Sequence, residues 1–171
     1  MKLIGSILVV VATTLIGEYY ANGYKMRIKY LMEMHRLLQM LYSEVEFSRG
    51  VLEEALLQME RGVGNGYKQF LRELSKGLSV GNGKSLEEHW KEAVYEYLHI
   101  PYLEKEDYEF FLSIGEALGY LDYEMERRTI AMYIERLQKK IDMLEKEVSN
   151  KCKLYHTLGV TIGCMVVLVL I

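Results

Sequence analysis

Proline is nearly missing from this chain. Pro101 stands alone among 171 residues, so almost nothing interrupts helices along its length. Cysteine is scarce as well. Cys152 and Cys164 cannot make the disulfide framework of a small secreted domain, and both read as small packing residues. An excess of basic charge is also lacking: 21 Lys and Arg against 24 Asp and Glu give a formal net charge of −3. No general attraction to nucleic acid follows from that balance. The four histidines, His35, His89, His99 and His156, form no H-x-x-x-H pair and share no helix face with a Cys or acidic cluster, so no metal site is expected. No serine sits in a G-x-S-x-G turn. The glycines at Gly62, Gly64 and Gly66 are followed by no G-K-[ST] and preceded by no strand, which excludes a phosphate-binding loop. No catalytic, cofactor-binding or metal-ligating residue is expected from these patterns.

Helical periodicity is abundant. Between Asp122 and Leu158 there is neither Gly nor Pro, and Ile130, Ile134, Leu137, Ile141, Leu144 and Val148 recur at alternating spacings of 4 and 3. That is a heptad seam, the stripe by which one helix lies along another. Asp122 can cap the start, and Glu124 adds charge of the favourable sign in the first turn. After Lys151 and Lys153 the character changes. Leu154–Ile171 carries no Asp, Glu, Lys or Arg, and a helix of that length reaches about 27 Å, close to a bilayer core. Leu3–Gly17 is a second uncharged run. Its n-region is only Lys2 and no A-x-A pattern follows it, so it reads as a retained membrane helix rather than a signal peptide. Tyr19, Tyr20 and Tyr24 suit an aromatic belt.

Two anchors in one bilayer would leave 22–153 on a single side. Lys25, Arg27, Lys29 and Arg36 follow the first run, and Arg136, Lys139, Lys140, Lys146, Lys151 and Lys153 precede the second. The positive-inside rule therefore puts this segment in the cytoplasm. The expected architecture is all-α: membrane helix 1–21, a cytoplasmic bundle of about six helices over 22–153, and membrane helix 154–171. Within the bundle, Tyr24–Phe47 carries Leu31, Met34, Leu38, Leu41 and Val45 at spacings of 3 and 4. That seam is the natural mate of the one through Leu137 and Ile141, giving an antiparallel stalk. Shorter helices are expected over Val51–Arg61, Tyr67–Ser79, Leu86–Leu98 and Glu104–Leu118. Ser85 and Glu88 form a capping box for the third of these. Trp90, Val94 and Tyr97 share one face of it. Gly119 closes the last of them.

Glu53 and Glu54, beside the Gly50 turn, and Arg127 and Arg128, early in the last helix, make a mixed-charge set at the end of the stalk away from the anchors. Such a set suits a cytoplasmic partner, and helix-end electrostatics is the plainer reading.

The ordered elements resemble the stage III sporulation protein AB family of endospore-forming bacteria. The likeness is carried by the tail KLYHTLGVTIGCMVVLVLI with Leu158, Gly159, Val160 and Gly163, by Leu118-Gly119 and Asp122 before the last helix, by Trp90, and by EVEFSRGVLEEAL with Leu52, Glu54 and Ala55. It covers essentially the whole chain through an ordered set rather than one motif. Val51 stands where the family pattern suggests Pro, Glu126 where it suggests Gln, and Thr129 where it suggests His. The resemblance implies a core helical domain like the platform protein F of type II secretion systems. It further implies a non-enzymatic component of the channel complex linking mother cell and forespore, in the mother-cell-derived membrane around the forespore. The partners it implies are other channel components, among them a cytoplasmic ATPase resembling secretion motors. Self-association is compatible with such a role. From the residues alone, a membrane-anchored helical sensor or signalling module is the competing reading.

Overall fold

The computed structural model describes the backbone of residues 2–47, 52–80, 83–118 and 123–170. Side chains are described for 22–44, 55–80, 83–118 and 124–150, and for Thr161 and Met165. Six helices and no strand make up the described chain: α1 (Lys2–Phe47), α2 (Leu52–Glu60), α3 (Asn65–Ser79), α4 (Leu86–Tyr97), α5 (Lys105–Leu118) and α6 (Tyr123–Leu170). The all-α expectation holds.

The boundaries differ in instructive places. α1 is a single helix of 46 residues, where the sequence suggested a break near Asn22. Gly17 and Gly23 each cost a helix only about 1 kcal/mol against Ala, and with no proline nearby that is too little to stop propagation. α3 starts at Asn65, two residues before the expected Tyr67, with Gly64 as an extended N-cap. α4 opens on the expected capping box. The Ser85 hydroxyl accepts from the Glu88 N–H at 3.2 Å, and the Glu88 carboxylate accepts from the Ser85 N–H at 2.8 Å.

Packing divides the chain into two units, Met1–Ile28 with Asp142–Ile171, and Lys29–Ile141. The first collects residues from both chain ends. Among the described residues no helix is long and apolar enough to cross a membrane. The two runs expected to do so, 1–21 and 154–171, lie almost wholly outside the residues whose side chains are described.

The second unit is built on an aromatic centre. Tyr67 and Phe70 of α3, Trp90 of α4 and Phe111 of α5 are all buried. Phe70, Trp90 and Phe111 meet pairwise with ring centroids 5.0–5.1 Å apart. Edge-on and tilted contacts at this range add to the gain from burial alone. The indole N–H of Trp90 donates to the Phe111 carbonyl at 2.9 Å, so the one polar atom of the ring is satisfied inside the core. Gly115 makes this approach feasible. A Cβ there would lie 2.8 Å from the Cβ of Trp90 and closer still to its ring. Leu71, Leu74 and Val94 are buried around it, and Ile114 joins them at 0 % exposure. Leu78, Tyr97, Tyr108 and Leu112 are only half-buried.

The long helices contribute their seams. Leu31, Met34, Leu38 and Leu41 of α1 and Ile130, Leu137 and Ile141 of α6 are buried. Ile134 and Leu144 are half-buried, and Val45 lies outside the described side chains. Tyr133 ties α6 to α5: its ring packs on Phe110 at 5.4 Å, and its hydroxyl donates to the Ser113 carbonyl at 3.0 Å. Tyr67 ties α3 to α1 by donating to the Tyr30 carbonyl at 3.1 Å. Burial pushes the Tyr67 phenol well above its ordinary pKa, and the nearby Glu33 pushes in the same direction.

Candidate partner-binding surface

Four charged residues were expected to face a partner, and the structure places them unequally. Glu53 and Glu54 fall in the first turn of α2, and their side chains lie outside the described residues. On α6, Arg128 is exposed. Arg127 is one-third exposed and pairs with Glu124 one turn earlier at 3.5 Å, which favours the helix-end reading for that residue. Between them Glu126 is half-buried, and desolvation raises its pKa. Of the structural residues, Trp90, Leu41, Leu137 and Ile141 are buried, while Gly119 and Asp122 fall outside the described residues.

Three polar features were not legible in the sequence. The first is Asp107, which has no exposed surface. Its Oδ1 receives the Lys140 ammonium at 2.7 Å, and its Oδ2 accepts from the Glu104 N–H at 2.9 Å. One carboxylate thus closes the start of α5 and fixes α6 against it. An acidic residue three positions into a helix is an ordinary N-terminal signal; that it would also be buried against a lysine 33 positions further on is decided only by packing. The second is Glu33 of α1. Its Oε2 is buried without a hydrogen-bond partner and lies against Gly64, the N-cap of α3. Gly64 offers no side-chain cap, so the carboxylate of Glu33 supplies negative charge where the helix dipole favours it.

The third feature is a groove of about 240 Å³ between α3 and α4. Gly77 is part of its lining, and a Cβ there would stand 2.6 Å from Nδ1 of the buried His89, so the glycine lets the two helices come close. The lining also includes Ala93, Val80 and Tyr97. Glu73, Glu92, Glu96 and Lys76 supply its charged side chains among the described residues. Lys76 pairs with Glu73 at 2.7 Å, and Lys84 beside the groove pairs with Glu92. Hydrogen bonding to Lys84 lowers the pKa of the Glu92 carboxyl. The Tyr97 phenol is raised by its bond to Glu96.

No group of three or more His, Cys, Asp or Glu among the described residues could hold a metal ion. The described architecture is that of a helical bundle. The family model for stage III sporulation protein AB matches residues 2–171, and the chain belongs to that family. Stage III sporulation protein AB of Bacillus subtilis (strain 168) is 25% identical over 170 residues, covering 99% of each chain. A solved structure titled "Stage III sporulation protein AB (SpoIIIAB)" superposes with a TM-score of 0.63 at 20% identity, over 72% of this chain and 97% of that one. At that identity the superposition speaks to the fold. Family membership gives the protein a role in sporulation.

Proposed function

We propose that this protein is a membrane-anchored, non-enzymatic platform in the channel complex between mother cell and forespore, and that its cytoplasmic bundle docks a secretion-type motor ATPase. The observation that carries the reading is the family match over the whole chain. The helical bundle and the gathering of both chain ends into one unit fit a hairpin with two anchors in one bilayer. The uncharged runs Leu3–Gly17 and Leu154–Ile171 have the composition of such anchors. Heptad stripes on α1 and α6 suit a coiled-coil-like stalk leading away from them.

Glu53 and Glu54 on α2, with Arg127 and Arg128 on α6, are the proposed ATPase contact. A Glu53→Lys/Glu54→Lys double variant of the full chain should insert and fold normally yet retain less ATPase in a pull-down, and the residual binding should respond less to salt. Undiminished binding in that variant, with binding lost instead on changes near Lys146–Lys153, would refute the contact. Topology is read separately. In a background with Cys152 and Cys164 replaced by serine, Val80→Cys (72 % exposed for Val80) should react with an impermeant thiol reagent only after cells are opened. Reaction in intact cells would reverse the orientation.

A further inference from the structure

The groove between α3 and α4 has a complement in the same sequence. On α6, Met125, Thr129, Met132, Arg136 and Lys139 recur at spacings of 4 and 3, which places them along one face. Met125 and Met132 are 56 % and 40 % exposed, and Arg128, Arg136 and Lys139 are exposed beside them. A stripe of flexible methionines flanked by cations is a surface adapted to contact. Arg136 is already steadied, with its guanidinium 6.0 Å from the centroid of the Tyr133 ring, so less side-chain freedom is lost on pairing.

The two surfaces match in sign and in shape. The groove combines the apolar Val80, Ala93 and Tyr97 with Glu73, Glu92 and Glu96 in its lining. At about 240 Å³ it is smaller than the ~300–1,000 Å³ of a typical small-molecule site, and it suits unbranched side chains projecting from a helix. The pairs Glu92–Lys84 and Lys139–Glu135 are exposed, and in Glu73–Lys76 the lysine is exposed and the glutamate half-buried. Such pairs are weak and easily exchanged for an intermolecular partner. Within one molecule the stripe and the groove cannot meet, because Tyr133 and Lys140 hold α6 to Ser113 and Asp107 of α5. A symmetric pairing of two stripes would set Arg136 and Lys139 against their own copies, which is repulsive.

We infer that the α6 stripe of one copy docks into the α3–α4 groove of a second copy of this chain. Such a contact uses two different patches, so a pair keeps one free groove on one copy and one free stripe on the other. Association can therefore continue beyond a dimer to a ring or an open chain. This inference shares Arg128 with the ATPase contact proposed above, and the variants that test it leave that residue unchanged.

The test uses the full chain in a mild non-ionic detergent, with mass and association followed by analytical ultracentrifugation. The wild type should associate beyond the dimer, and added salt should weaken it. Glu92→Lys/Glu96→Lys and Arg136→Glu/Lys139→Glu should each weaken self-association roughly tenfold or more. Their helical circular dichroism should be unchanged, since all four side chains are exposed. An equimolar mixture of the two variants should associate again, because each then presents the charge that the other lacks. A wild type that stays monomeric at the highest concentration reached would overturn the inference and leave the groove to a different protein. So would single variants that associate like the wild type, or a mixture that stays apart.

Discussion

Replacing Lys140 with methionine isolates the most consequential polar contact in the bundle. Methionine keeps an unbranched apolar stem of similar length and removes the ammonium that sits 2.7 Å from Asp107. Asp107 has no exposed surface, so its charge loses a nearby counter-ion where water cannot easily replace it. Breaking a fully buried pair costs about 3–5 kcal/mol. The Lys140 side chain is 24 % exposed, and the Glu104 N–H still binds Oδ2, so the expected loss is nearer 2–3 kcal/mol. Adding Asp107→Asn should recover most of it. The amide oxygen can still accept from Glu104, and no charge remains to be desolvated. Urea unfolding of the full chain in detergent, followed by circular dichroism and by the fluorescence of Trp90, the only tryptophan, would supply the double-mutant cycle. A loss under ~0.5 kcal/mol for Lys140→Met, or strict additivity of the two changes, would show that the pair is no more than a surface contact.

Gly115→Ala should destabilise the protein by about 2 kcal/mol despite the better helix propensity of Ala, because the new methyl meets an indole held in place by its bond to Phe111; a blue or red shift of Trp90 emission should accompany the loss, and a stabilised variant would contradict the packing. Leu41→Asp puts a carboxylate where 2 % of the side chain is exposed and should cost several kcal/mol, on the order of 3–5; an unchanged melting temperature would remove Leu41 from the seam. Burial lowers the pKa of His35 below the ordinary imidazole value of 6.5. Between those two values the unfolded chain binds the proton and the native chain does not, so stability is present above the unfolded value and falls as pH drops below it. The melting temperature should decline on acidification from about 7.5 to 6, and His35→Gln should flatten that slope; Glu126, raised by desolvation, acts with the opposite sign but nearer the carboxylate range. An identical slope in the variant would assign the acid sensitivity elsewhere.

Patterns within one helix were legible from the residues alone. The capping box of Ser85 and Glu88 needs only three residues of separation, and it formed as the spacing required. The seams through Leu38 and Leu137 follow from 3.6 residues per turn, and those positions are buried. The sparse prolines set the all-α class. α1 runs on through Gly17 and Gly23, because two local penalties of about 1 kcal/mol each do not end a helix that packing supports elsewhere. Family membership was likewise carried by an ordered set of residues along the whole chain. What the sequence could not show were relations between helices. Trp90 seeks the carbonyl of Phe111 only because Gly115 leaves room for the ring. Asp107 is a routine helix-start acid until α6 brings Lys140 to it. The groove is lined by residues of different helices, among them Gly77 and His89, which come together only on packing. Spacing along a chain fixes which residues share a helix face; the distances and burial that set the energy of a contact between faces arise only when the helices pack.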